Sequence, residues 1–141
     1  MRTFAKIVAG LAAVFSLVTG VWAFAAPESF ADNIASYPPY NEHLTHDIGA
    51  FLIGLGVAAL AGLLLSDGLA AGLAGVAAGS LLHGVSHILD AGHGGRASDP
   101  WTVSLFGLLA LAGFLAALGR AGRRASAAPR SPSRAPSGPP R

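Results

Sequence analysis

Long apolar runs separated by short polar ones set the pattern of this chain. Residues are apolar from Ile7 to about Ala26, polar from Pro27 to Tyr40, and uncharged from Ile48 to Leu65. Ser66-Asp67-Gly68 interrupts briefly before a Gly- and Ala-rich run from Leu69 towards Asp90. A polar stretch from Ala91 to Pro100 precedes a last apolar run, Trp101 to about Leu118. Each run approaches the ~20 residues needed to cross a ~30 Å hydrocarbon layer. The pattern predicts an all-α protein, a four-helix transmembrane bundle within residues 1–119, with helices at about 4–26, 42–65, 69–90 and 101–118.

Local signals mark the ends. Asn41 is a good N-cap for the second span. Pro27 ends the first, because the residue before a proline is biased out of the α region. Ser29 to Ile34 reads as a short interfacial turn of helix with Phe30 and Ile34 on one side. A three-residue turn at Ser66-Asp67-Gly68 makes the second and third spans antiparallel neighbours. The first run also has a rival reading as a signal peptide, with Arg2 and Lys6 as its basic start and Ala23-Phe24-Ala25 as a small-x-small cleavage pattern. Its apolar run is long for that role, and Trp22 and Phe24 suit an interfacial aromatic belt, so a retained helix is expected.

Composition sharpens the class. The chain is 52% hydrophobic and only 11% charged, against about a quarter charged in soluble domains. It has no cysteine, which excludes disulfides, thiolate metal sites and Cys nucleophiles. Its basic residues flank apolar runs instead of forming a stripe with interleaved aromatics, so no nucleic-acid partner is expected. In a four-span arrangement Arg2, Lys6, Arg120, Arg123, Arg124, Arg130, Arg134 and Arg141 share one side and Arg96 takes the other. The positive-inside rule then places both termini in the cytoplasm of a multi-pass plasma-membrane protein. Residues 120–141, rich in Arg, Ser, Ala and Pro, read as a disordered tail whose first arginines are placed to attract anionic lipid.

The polar residues of the spans carry whatever chemistry there is. All five histidines fall in two stretches, Asn41-Glu42-His43-Leu44-Thr45-His46-Asp47 and Leu81 to His93. His83, His87 and Asp90 follow at i, i+4 and i+7 on one helical face, and His43, His46 and Asp47 at i, i+3 and i+4 on another. Ionisable groups at membrane depth are costly and mark functional positions by default. Counted outward from the turn, the two groups lie at matching heights. Two rows spaced by four, His46-Ala50-Gly54-Ala58-Gly62 and Ala71-Gly75-Gly79-His83-His87, are expected to face each other. Small residues would let the backbones approach below and bring the histidines together above.

Several readings of that cluster stand side by side. Asn41, Glu42, His43, His46, Asp47, His83, His87 and Asp90 are candidates for a structural hydrogen-bond network, a ligand site or a proton path. A metal site for Zn or Cu would draw on His46, Asp47, His83 and His87, and a haem on one histidine from each helix. No HExxH pattern, nucleophile elbow or phosphate loop is present, so the chain leans away from an enzyme and towards having no resident cofactor.

Pro27-Glu28-Ser29-Phe30 and Pro39-Tyr40-Asn41-Glu42-His43-Leu44-Thr45-His46-Asp47-Ile48-Gly49-Ala50 resemble a group of small bacterial integral membrane proteins, DoxX-like in their four-helix layout. The resemblance covers roughly Val21 to Asp90 and implies four retained spans. It makes Asn41, Glu42, His43 and Asp47 the signature residues. His46 stands where that group carries an arginine, which weighs against a ligand role there. The resemblance brings no substrate with it. The expected function is a non-enzymatic membrane component that binds a partner or a small ligand at an outward-facing His/Asp cluster, with a homo-oligomer or a membrane partner as the expected association. Metal handling, proton handling or a redox accessory role is the alternative.

Overall fold

The computed structural model describes residues 1–65 and 67–127, with side chains described through Gly119 apart from Ser66. Five helices follow in order: α1 Arg2–Ala25, α2 Pro27–Asn33, α3 Glu42–Leu64, α4 Leu69–Leu89 and α5 Asp99–Ala127. Among the described residues there is no strand. Four of the helices are long and apolar enough to cross a membrane, α5 through its Asp99–Gly119 portion. Ser66 of the expected turn, and residues 128–141 of the expected tail, lie outside the described residues.

The ends follow from local chemistry. The Leu44 amide donates to Asn41 Oδ1 at 3.0 Å, which satisfies one of the orphan donors that open α3. Pro27 takes the first position of α2, where its missing N–H costs nothing. α5 begins earlier than the expected Trp101 because Asp99 and Pro100 suit a first turn. It also runs on past Leu118 into the expected tail. Residues 119–127, Gly-Arg-Ala-Gly-Arg-Arg-Ala-Ser-Ala, contain no proline and are rich in the helix formers Ala and Arg.

α1 packs most closely on α3, and α4 on α5; the two pairs then meet along α3–α4 and α1–α5. The start of α1, the end of α5 and the α3–α4 turn lie at one end of the bundle, here the terminal end. α2 and the connections 34–41 and 90–98 lie at the other, the loop end. The core is built mostly of alanines, Ala12, Ala13, Ala59, Ala77 and Ala110 around Val76, with Ala5, Ala9, Leu73 and Ala116 nearer the terminal end. Large apolar side chains point outward instead, among them Leu11, Val14, Phe51, Leu82 and Leu108. That is the distribution expected when lipid surrounds the bundle and close backbone approach holds it together.

The closest approaches fall only in part on the expected rows, at Gly62, where a Cβ would lie 2.7 Å from the Gly68 carbonyl oxygen. A Cβ on Gly20 would lie 2.7 Å from the Ile53 amide nitrogen, and one on Gly49 2.7 Å from that of Phe24. The α1–α3 contact is therefore backbone on backbone. Of the two rows, Gly62 is buried against Gly68 and Gly72, and Gly79 meets the Leu55 side chain. Ala50, Gly54, Ala58, Ala71 and Gly75 are exposed, and a Cβ on Gly54 or Gly75 would meet nothing within 4 Å. Geometry explains the difference. Each four-residue step advances about 40° around a helix, so such a row winds off any straight seam. Gly49 and Gly56, seven apart, return to nearly the same face, and that face is turned to α1.

Candidate functional site

At the loop end the polar residues form two separate groups. The first is on α4. His83 and His87 are one turn apart, and their imidazoles stack with centroids 4.7 Å apart at 26°. The His87 Nδ1 lies 2.7 Å from the Tyr37 hydroxyl, and the two rings are tilted together at 5.8 Å. Burial, then the carboxylates of Asp99 and Asp90, hold the Tyr37 phenol above its ordinary pKa. The phenol therefore keeps its proton at neutral pH and has an O–H to offer to Nδ1.

Tyr37 reaches α4 because two connections clasp each other. The Gly95 amide donates to the Ser36 carbonyl at 2.9 Å. The Arg96 guanidinium donates to the Asn33 carbonyl at 2.6 Å, at the end of α2 where the helix carbonyls are otherwise unpaired. The Arg96 amide in turn donates to Asp99 Oδ2 at 2.7 Å, tying the clasp to the start of α5. Gly94 and Gly95 adopt φ of +143° and +75°, and a Cβ on Gly95 would lie 2.5 Å from the Tyr37 hydroxyl. Only glycine gives both the left-handed turn and the room for the ring.

The second group, Asn41 to Asp47, serves α3 and its neighbour α1. Asn41 caps the helix, Glu42 lies in its first turn, and the buried Thr45 hydroxyl donates to the Asn41 carbonyl at 3.0 Å. His43 and Asp47 form an exposed pair at 3.6 Å. The His46 ring packs on Phe24 of α1 at 5.4 Å. Asp90, at the C-cap of α4, sits 3.8 Å from His93 in another exposed pair. Such pairs contribute about 0–1 kcal/mol.

The expected convergence of the two groups is therefore corrected. Among the described residues no hydrogen bond, ion pair or ring contact joins Asn41–Asp47 to His83, His87 or Asp90. Nor are three His, Asp or Glu side chains grouped there so as to hold a metal ion, and His46, Asp47, His83 and His87 do not form a ligand set. The cause is the rotation of α3. With Thr45 and Gly49 buried, His46 is carried onto Phe24 of α1 instead of towards α4.

Sequence reasoning passed over Tyr37, Gly95 and Arg96, which lock the loop end. The signal was faint: a Gly94-Gly95 pair in one connection and a tyrosine before Pro38-Pro39 in the other. Beside Tyr37, a surface cleft of about 210 Å³ is lined by Ala31, Asp32, Ala35, Ser36, Tyr37, Pro38 and Tyr40. Comparison with protein families, with curated proteins and with solved structures returns no match for this chain.

Proposed function

We propose that this chain is a multi-pass component of the plasma membrane, both termini cytoplasmic, that binds a small ligand or a membrane partner at its loop end and performs no chemistry on it. One observation carries the reading. The Tyr37–His87 hydrogen bond joins a titratable pair on α4 to a loop that also walls an open cleft. An occupant of the cleft would thus touch the residue that holds the histidines. The retained N-terminal helix is supported by the backbone contact of Gly20 with Gly49, since cleavage after Ala25 would remove half of that seam. The orientation rests on the eight Arg and Lys residues assigned to the terminal side. Membership of the DoxX-like group belongs to the same proposal.

A second reading has its own support. Tyr37, His87 and His83 make a continuous run of a phenol and two imidazoles leading from the loop end down α4. Such a run suits proton handling, alone or beside a redox partner.

Native mass spectrometry of protein extracted gently from the membranes that produce it tests the binding reading. A bound mass on the wild type that is lost from His87→Ala is the expected result. A bare wild type, or the same adduct on His87→Ala, would defeat it. An alkaline phosphatase fusion after Arg141 that is active outside the cell would defeat the orientation.

A further inference from the structure

The cleft beside Tyr37 has a composition that selects a class of ligand. Two phenol rings, Tyr37 and Tyr40, line it together with Asp32, while Ala31, Ala35 and Pro38 supply small apolar walls. Aromatic faces with a carboxylate are the usual surroundings of an organic cation. The volume, about 210 Å³, is below the ~300–1,000 Å³ of sites for drug-sized ligands, which limits the occupant to a headgroup-sized moiety.

The field at this position has the same sign. Six carboxylates, Glu28, Asp32, Glu42, Asp47, Asp90 and Asp99, belong to the loop end against the single guanidinium of Arg96. Arg96 is engaged with the Asn33 carbonyl, so one cation already occupies the end of α2 one residue from Asp32. Asp32 takes part in neither of the two His–Asp pairs described above. Loss of solvent, then the carboxylates of Glu42, Glu28 and Asp32, hold the Tyr40 phenol above its ordinary pKa. Both rings are thus neutral phenols at physiological pH, able to present a π face to a cation.

We propose that this cleft is a site for a small alkylammonium group, held between the rings of Tyr37 and Tyr40 and balanced by the Asp32 carboxylate. The inference rests on the reading of the loop end as a ligand-binding surface and names its ligand class. Free amines and the headgroups of phosphatidylethanolamine or phosphatidylcholine share this chemistry. Occupancy would press on Tyr37 and so reach His87.

The test uses the full chain in dodecyl maltoside, which carries no charge. Saturation-transfer NMR compares choline with 3,3-dimethylbutanol, its uncharged isostere. A parallel arm measures by native mass spectrometry which lipids remain bound after delipidation and re-addition of phosphatidylethanolamine and phosphatidylglycerol. A site for free alkylammonium compounds binds choline over the isostere and weakens about tenfold in Asp32→Asn and in Tyr40→Leu. A headgroup site instead retains phosphatidylethanolamine over phosphatidylglycerol and loses that preference in Asp32→Asn. Asp32 is exposed, so the variant keeps the wild-type melting temperature and its result is interpretable. Equal binding of choline and the isostere together with no lipid preference, or Asp32→Asn unchanged in both arms, overturns the proposal. If these arms fail while the His87-dependent adduct persists, the ammonium class is wrong and the ligand-binding reading stands. If the adduct is also absent, both fall.

Discussion

Glycine-to-alanine exchanges on α3 separate the observed packing from the pattern read in the sequence. At Gly49 an added methyl would sit 2.7 Å from the Phe24 amide nitrogen, 2.9 Å from the Gly20 carbonyl oxygen and 3.0 Å from the Phe24 Cα. All three are backbone atoms of α1, so no rotamer change relieves the clash. Ordinary contact begins near 3.4 Å, so α1 and α3 must part locally by roughly half an ångström or more. Separating close-packed surfaces by 0.5–1 Å forfeits about a quarter to a half of each affected dispersion contact. Overpacking of this kind costs about 1–3 kcal/mol. At Gly54, one and a half turns further on, the added methyl meets nothing within 4 Å. There the exchange gains up to about 1 kcal/mol of helix propensity. The two variants should differ by about 1.5–4 kcal/mol, read as unfolding free energy by SDS titration in mixed micelles or by steric trapping in bicelles. Gly20→Ala should match Gly49→Ala, and the double variant should cost less than the sum, because the first methyl has already moved the helices apart. If Gly54→Ala proves as harmful as Gly49→Ala, the expected row is the real seam and the packing described here is wrong.

Other outcomes follow from the loop end. Tyr37→Phe removes the hydroxyl from His87 Nδ1 and should cost about 0.5–1.5 kcal/mol while raising hydrogen exchange at Gly95; unchanged exchange would argue against the clasp. Gly95→Ala should be worse, since it adds a left-handed φ penalty to a clash with the Tyr37 ring, and a variant as stable as wild type sinks that argument. The chain has two tyrosines, and both phenols are held above the ordinary value near 10. Absorbance near 295 nm should therefore rise with midpoints above pH 10. A phenol raised on folding stabilises fully below its unfolded pKa, and this contribution is lost as pH climbs through the folded value. A midpoint at or below 10 in the folded protein contradicts this. Stoichiometric Zn or Cu should leave the melting temperature of the wild type and of His46→Ala the same, because His46 faces Phe24 away from the α4 pair; a His46-dependent shift would show that the ligands do gather.

What the sequence determined is what depends on residues near in the chain or on solvent class. Four apolar runs of membrane-crossing length, the Asn41 cap and the Pro27 break were all readable, because hydropathy and capping are local. The concentration of all five histidines in two short stretches was visible as well. What tertiary structure decided is the rotation of each helix about its axis. In a chain with glycine and alanine on nearly every face, small-residue rows do not single out one seam. The buried face of α3 goes to α1 through Gly49 and Gly56, and this carries His46 to Phe24. The partner of His87 turned out to be Tyr37, fifty residues away. That contact exists because Gly94 and Gly95 allow one connection to fold against the other, and no periodicity along the chain encodes a meeting of two loops. Periodic signals fix which residues share a helix face; the direction of that face is set by which backbones can come closest.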